Sequence, residues 1–389
     1  MQVCAGGFLS YASQSPITPI IALWVVHLGG SASTVGLVSA AFSAPSFILR
    51  PLIGSLCDSW SSRKVFATGC LISGAGSLLI LYPAMSTVFI SQVLNGIGWA
   101  GLNTGGYTMV AELAPADRRG AASSYLQMSR NSLGFYLPYL ALKAKSFAGF
   151  WLPFLVTGLA GILAAPTIIG IPERKRPPKA AVVDVMERES LLDRFFDRDS
   201  LLGTLLLFLA QVTGPAISTF IVLYAKHLGL SEGQIAQLLL VRGGFSIATQ
   251  GLLAGVSDRL GRGPAVALGL MTTAGSMVLL SQASGVLFLL LGMIATSISG
   301  SLTPPALQAL AIDRSHPDKR GKAMATFSLS FQMGSFVGGL MGGFLIDALG
   351  FRQFYLVSAL PVCLAMVLLV KNWRIVAGTS PTARRPTVA

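Results

Sequence analysis

Apolar stretches of about 20 residues recur along the whole chain, separated by short polar segments, and that is the length of helix a hydrocarbon core requires. Read from the N-terminus they predict spans over 3–27, 34–56, 65–84, 87–111, 121–142 and 150–171. After a polar stretch at 172–200 they resume over 201–225, 233–255, 265–283, 285–311, 322–345 and 353–370. The first opens without a basic n-region or an A-x-A site, so it reads as a retained helix and not a cleaved signal peptide. The pattern predicts an all-α integral membrane protein: twelve transmembrane helices in two six-helix bundles, 1–171 and 201–372. A linker at 172–200 joins them, and a tail follows over 373–389.

Composition agrees with the pattern. Of 389 residues, 53% are hydrophobic and only 11% charged, whereas a soluble chain carries about 25% charged residues to cover its outside. The net charge of +13 would suggest nucleic acid in a soluble protein, but here its placement explains it. One set of inter-span segments holds Arg63, Lys64, Arg118, Arg119, Arg259, Arg262, Arg314, Lys319, Arg320 and Lys322. With the linker and the tail, that face carries 21 of the 28 Lys and Arg residues. The opposite face holds Lys143, Lys145, Lys226 and Arg352. By the positive-inside rule both termini are cytoplasmic. No N-x-[ST] site occurs, which fits a bacterial inner membrane. Cys4, Cys57, Cys70 and Cys363 are scattered in apolar segments and read as small hydrophobes. In the linker, Val182, Val185, Met186, Leu192, Phe195 and Phe196 fall on a helical stripe among charges. That stripe fits an amphipathic helix on the cytoplasmic leaflet, or a solvated linker between the halves.

The two halves repeat each other. His27-Leu28-Gly29 recurs as His227-Leu228-Gly229 and Asp58 as Asp258, both 200 residues on; Glu112 and Asp313 lie 201 apart. The segment Pro115-Ala116-Asp117-Arg118-Arg119-Gly120 loosely matches Pro317-Asp318-Lys319-Arg320-Gly321. Six spans therefore repeat, in parallel, as six more.

On these residues the chain resembles the major facilitator superfamily (MFS) over essentially its whole length. The family's signature between the second and third helix of each half is G-x-x-x-D-R-x-G-R-[KR]. The first copy keeps Gly54 and Asp58, with serines in place of the next Arg and Gly before Arg63 and Lys64; the second keeps Asp258-Arg259-Leu260-Gly261-Arg262, with Ala254 at the leading Gly. The resemblance implies the MFS fold and a secondary transporter. By that layout Asp58 would face the start of the span near 322, and Asp258 the span near 121. Arg63 would pair with Glu112, and Arg259 or Arg262 with Asp313, as a cytoplasmic gate; the alternative is that these charges only cap helices and set topology.

Ionisable residues within a bilayer are costly and mark function. Arg130 and Arg242 both lie about 15 Å into their spans, with no Asp or Glu at comparable depth to neutralise them. An anionic ligand would supply that charge, since Arg binds carboxylate or phosphate bidentately; otherwise the two arginines bond to helix carbonyls or water and lock packing. Arg50, two turns from Asp58, is read as structural, snorkelling to the cytoplasm. Polar groups cluster where prolines interrupt the first and seventh spans: Gln14 and Thr18 near Pro16 and Pro19, Gln211 near Pro215. The fourth span adds Asn103 and Tyr107, and the tenth Thr303 and Gln308. In the family these four helices line the cavity, so these residues join the two arginines as candidate substrate contacts.

The family's drug–proton antiporters often carry an Arg in the fourth helix, where this chain has Gln92. Their fifth-helix G-P-x-x-G-G is reduced to Gly134 and Pro138, while the eleventh span carries Gly338-Gly339-Leu340-Met341-Gly342-Gly343. The reading is a transporter for a small, anionic solute working by alternating access, monomeric in the bilayer. Its partners are the solute, the lipid, and a coupling proton or counter-ion, with no nucleic acid and no cofactor. The alternative is proton-coupled efflux of amphipathic drugs or metabolites. His27, His227 and His316 sit apart from any Cys or Glu cluster, and there is no Walker A motif, which argues against an enzyme.

Overall fold

The computed structural model of the chain describes residues 2–15, 17–114, 122, 125–126, 134, 136–171, 201–253, 255–315 and 320–377. It is built of helices that follow the predicted spans in order. The first span is Gln2–Ala12 plus Ile17–His27, and the second Ala32–Ile48 plus Arg50–Leu56; the third and fourth are Ser62–Leu79 and Met85–Leu113. The fifth is described over Tyr136–Ala148, and the sixth is Trp151–Ile169. Leu201–Gln211, Gly214–Ser218 and Phe220–His227 form the seventh, followed by Glu232–Leu252, Arg262–Ser281 and Val286–Arg314. One continuous helical run, Arg320–Lys371, holds the eleventh and twelfth and breaks at Gly350, whose φ is +80°. Among the described residues five helices are long and apolar enough to cross a bilayer by themselves. A sixth crossing forms if Ala32–Ile48 and Arg50–Leu79, bent by 46°, count as one.

The breaks have local causes. Pro45 and Pro51 flank Leu49, where the second span bends, because a proline removes a helix hydrogen bond and crowds the preceding turn. The first span opens into a turn at Ser13–Ser15. The repeated His-Leu-Gly motif is a helix stop. Gly29 takes φ +85° and Gly229 φ +81°, the left-handed conformation only glycine adopts freely. In the first copy the N–H of Gly30 reaches Val25 O at 2.9 Å and that of Gly29 reaches Val26 O at 3.0 Å; in the second, Leu230 reaches Ala225 O and Gly229 reaches Lys226 O. Both are Schellman closures of the exposed carbonyls. The next helix then starts on a serine cap each time: Ser31 Oγ accepts from Thr34 N, and Ser231 Oγ from Gln234 N.

By its contacts the chain divides into two units. The first gathers Met1–Pro178, Ser218–Gly243 and Gly339–Asp347; the second gathers Lys179–Ile217, Gly244–Gly338 and Ala348–Ala389. Lipid tails are as apolar as leucine, so close van der Waals packing and not transfer from water must hold such helices together. Glycine supplies it in the first unit: a Cβ on Gly69 would lie 2.9 Å from Gly98 O, and one on Gly161 would lie 2.8 Å from Gly74 Cα. The third, fourth and sixth spans meet there over Phe66, Cys70, Leu102, Met109 and Ile168. In the second unit the core runs through Leu206, Leu207, Val266, Leu270, Leu307, Leu310 and Val362. Gly338 packs on the Val212 carbonyl, and Tyr355 Oη donates to Ala216 O at 2.9 Å, tying the twelfth span to the interrupted seventh.

Candidate functional site: polar groups inside the helix bundles

In the first unit the open turn of the first span delivers Gln14 into the bundle. Its Nε2 donates to Ser73 Oγ and, at 3.1 Å, to Asn95 Oδ1. Ser73 Oγ donates to the same Asn95 oxygen at 2.9 Å, while Asn95 Nδ2 reaches Ser91 O at 3.0 Å. Gln14, Ser73 and Asn95 are all buried. A satisfied buried network of this kind fixes the relative rotation of the first, third and fourth spans. Ser73 carried no motif in the sequence; its signal was the i, i+4 pair Ser73 and Ser77 facing Asn95.

The remaining first-unit candidates are less buried. Thr18 and Tyr107 are exposed, and Asn103 is half-buried with Nδ2 on Trp99 O at 3.0 Å. Arg242 is half-buried on the eighth span. Arg130 lies outside the described residues. Arg50 is half-buried on the second span, and its Nε has no hydrogen-bond partner.

In the second unit Gln211 is half-buried at the seventh span's break, with its Cβ where a side chain on Gly334 would go. Gln308 is exposed, and its Nε2 donates to Met324 Sδ at 3.9 Å. Thr303 is buried, packed over Gly269 with Oγ1 unpartnered, so it serves the contact of the ninth and tenth spans. Thr249 Oγ1 and Ser301 Oγ, 2.9 Å apart, join the eighth and tenth spans.

At the Asp58 end, Asp58 is exposed within the π-helical turn Cys57–Ser61. Arg63 Nη1 donates to the carbonyls of Ile169 and Ile171 at 3.2 and 2.8 Å, closing the C-terminus of the sixth span. Glu112 accepts from Ser62 Oγ at 2.5 Å. Arg262 Nε meets Asp313 Oδ2 at 3.2 Å, and Arg259 is exposed. The Asp258 side chain and residues 115–121 lie outside what is described.

Sequence reasoning missed the His27 end. Asp347, at the close of the eleventh span, accepts from Ala32 N at 3.1 Å and Ser33 N at 2.8 Å, capping the start of the second span. Slight burial opposes its ionisation, but hydrogen bonds from Ser33, Ser31 and Ala32 outweigh this and hold its carboxyl below the usual carboxylate range. One turn earlier Gly343 lies on the backbone of Ala32 and Ser33, and a turn before that a Cβ on Gly36 would lie 2.5 Å from Gly339 O. In the same unit Lys145 pairs with Glu232 at the start of the eighth span and lies 4.5 Å over the Phe150 ring. Phe150 in turn packs on Trp24 and His27 at 4.7 and 5.2 Å. A signal was present: Gly149 and Gly350, both at φ near +80°, lie 201 residues apart, so Lys145 and Asp347 end equivalent helices.

The comparisons with known proteins match this architecture. The family model for the Major Facilitator Superfamily fits residues 3–249 and 200–387. An uncharacterised MFS-type transporter of Methanocaldococcus jannaschii is 25% identical over 354 residues, 88% of this chain and 90% of its own length. Multidrug resistance protein 2 of Bacillus subtilis is 24% identical over 355 residues, 87% of this chain and 86% of its own. Among solved structures, a POT family transporter in complex with a thioalcohol-conjugated peptide superposes with a TM-score of 0.79 over 96% of each chain at 14% identity, a likeness of fold. With twelve helices in two repeated halves and the family model spanning both, the chain belongs to the Major Facilitator Superfamily of small-molecule transporters and is not an enzyme.

Proposed function

We propose that this transporter carries a small anion by alternating access, with Arg130 and Arg242 as contacts to the solute. The observation that supports it is a charge imbalance. Arg50, Arg130 and Arg242 fall inside predicted spans, while every one of the 15 Asp and Glu residues falls between them or at their ends. A cation placed in low dielectric, with no carboxylate at its depth in the spans, favours an anionic ligand that brings the missing charge. The Lys and Arg distribution puts the Asp58 end in the cytoplasm and the His27 end outside. On that orientation Asp58, Arg63, Glu112, Asp258, Arg259, Arg262 and Asp313 act at the inner gate. One copy of the chain is the transporting unit.

The test is counterflow of small organic and inorganic anions in proteoliposomes, comparing wild type with Arg130→Gln and Arg242→Gln. Saturable anion flux lost in both variants, with thermal melting unchanged, is the expected result. Unchanged flux in the variants would make both arginines structural. A second reading, efflux of amphipathic compounds, draws on the relative named as a multidrug resistance protein. Efflux of aromatic cations without anion flux would establish it in place of the first.

A further inference from the structure

Arg50 begins the helix Arg50–Leu56, which packs against the fourth span. The second and fourth spans run in the same direction and pack along both parts of the second: Phe42 meets Trp99, with ring centroids 6.4 Å apart, and Tyr107 stands at the same 57-residue offset from Arg50. A Cβ on Gly96 would run into the Phe42 carbonyl, so the two backbones are in direct contact above this row. Tyr11 of the first span completes the aromatic end, 6.0 Å from Trp99. Asn103 lies between the two ends, one turn from Trp99 and one turn from Tyr107.

Each of these side chains is half-buried or, for Tyr107, exposed, so the row is an open stripe on one side of the unit and not part of its sealed core. The stripe is polarised. Three rings stand at one end; a guanidinium with an unpartnered buried Nε and a phenol stand at the other. Trp99 and Tyr107 are eight residues apart on one helix, about 12 Å.

We propose that this stripe binds an amphipathic aromatic anion, its carboxylate on Arg50 and Tyr107 and its ring system against Tyr11, Phe42 and Trp99. The proposal rests on the anion reading above and narrows it to acids that carry a flat apolar body. A guanidinium and a hydroxyl together present donors that a carboxylate accepts and an amine cannot. The rings favour a flat apolar body over a small hydrated ion such as acetate.

The experiment is equilibrium binding of radiolabelled biphenyl-4-carboxylate to the full chain in lipid nanodiscs, with biphenyl-4-methanol, biphenyl-4-methylamine and acetate as competitors. Wild type is expected to bind the carboxylate saturably. The alcohol should compete at least tenfold more weakly, and the amine and acetate not at all. Arg50→Gln should weaken binding at least tenfold, Arg50→Lys should restore part of it by keeping charge without the planar fork, and Phe42→Ala should weaken carboxylate and alcohol alike. Binding unchanged in Arg50→Gln would overturn the proposal, as would equal binding of carboxylate and alcohol by wild type, a result that stands even if Arg50→Gln fails to fold. Small-anion counterflow without biphenylcarboxylate binding would overturn this proposal and leave the anion reading standing. Binding of the amine in place of the carboxylate would remove both.

Discussion

Gly343→Ala gives the most direct test of the contact between the second and eleventh spans at the His27 end. A Cβ at this position would lie 2.8 Å from Ser33 Cα and 3.0 Å from the Ala32 carbonyl carbon, with the Ala32 oxygen closer still. Carbon atoms need about 3.5–4.0 Å, so the second and eleventh spans must separate by about 1 Å, and the obstacle is backbone that no rotamer change can move. Asp347 lies one turn further on, and the same shift draws its carboxylate off the Ala32 and Ser33 amides. Overpacking of a close contact costs about 1–3 kcal/mol. In an alternating-access cycle that cost falls only on the state in which these spans touch, so the fraction open at the His27 end should rise about 5- to 150-fold. Ser39 packs over Gly339 in the same seam, with its Oγ 3.0 Å from where a Gly339 Cβ would be. In a Ser39→Cys background the rate of labelling by a membrane-impermeant maleimide reports the open fraction, and it should rise by that factor in Gly343→Ala. A lower melting temperature with an unchanged labelling rate would refute the argument, because the contact would then be ordinary packing present in every state.

Asp347 carries a pH prediction. Its carboxyl is held low by the amides it caps, so the cap is fully formed above the ordinary carboxylate range near about 4 and is lost as pH falls through the depressed value. The fraction open, read from the distance between spin labels placed on the second and eleventh spans at the His27 end, should be flat from about pH 5 to 8 and climb only below about 4, and Asp347→Asn should abolish the climb; a rise near neutral pH would point to a different group. Asn95→Ala removes the oxygen to which Gln14 and Ser73 both donate, and each buried hydrogen bond lost in a bilayer costs about 0.6–1.7 kcal/mol, so thermal melting should fall clearly, while Thr303→Ala, which loses no hydrogen bond, should stay within about 1 kcal/mol of wild-type stability. Lys145→Asp sets two carboxylates together at the start of the eighth span and should open the His27 end. Adding Glu232→Ala should restore closure, because the introduced carboxylate can then cap the free amides in place of the ion pair; a double variant as open as the single one would refute that equivalence.

Much of the architecture was legible because the bilayer imposes a length on each span and glycine imposes a conformation on each stop. The His-Leu-Gly repeat, noticed only as an offset, is a pair of left-handed helix ends. The Gly338–Gly343 run, read as close packing, is in contact with Val212 in the second unit and with Ala32 and Ser33 in the first. The rotation of each helix about its axis was not legible. In water a polar stripe marks the outside, but in lipid it can face a neighbouring helix or an open cavity, and composition does not separate the two. Gln14 and Tyr107 look alike in sequence as polar residues in cavity-lining spans. One is sealed against Ser73 and Asn95, and the other stands exposed. Arg63 Nη1 also reaches the carbonyls that end the sixth span, a contact to backbone that no pattern of charges along the sequence contains.

The two contacts at the His27 end show why repeated halves need not repeat their chemistry. Both place a carboxylate at the start of a helix, where the unpaired amides and the helix dipole favour it. For the second span that carboxylate is Asp347, delivered by the end of the eleventh; for the eighth it is Glu232 in the helix's own first turn, and the end of the fifth answers with Lys145. The electrostatic requirement at the helix start is the same in both, and only the residue that meets it has moved, so a search for paired like motifs passes over the seam. Each contact is individually modest: a cap is worth about 0.5–2 kcal/mol, and a partly exposed ion pair about 1 kcal/mol or less. Their smallness suits a transporter. A solute bound at micromolar to millimolar affinity has only about 4–8 kcal/mol to distribute, and it shifts a conformational equilibrium solely by the part of that energy which differs between states. Two latches of this size can be released by such a difference, whereas one deeply buried ion pair, at about 3–5 kcal/mol to break, would absorb most of it.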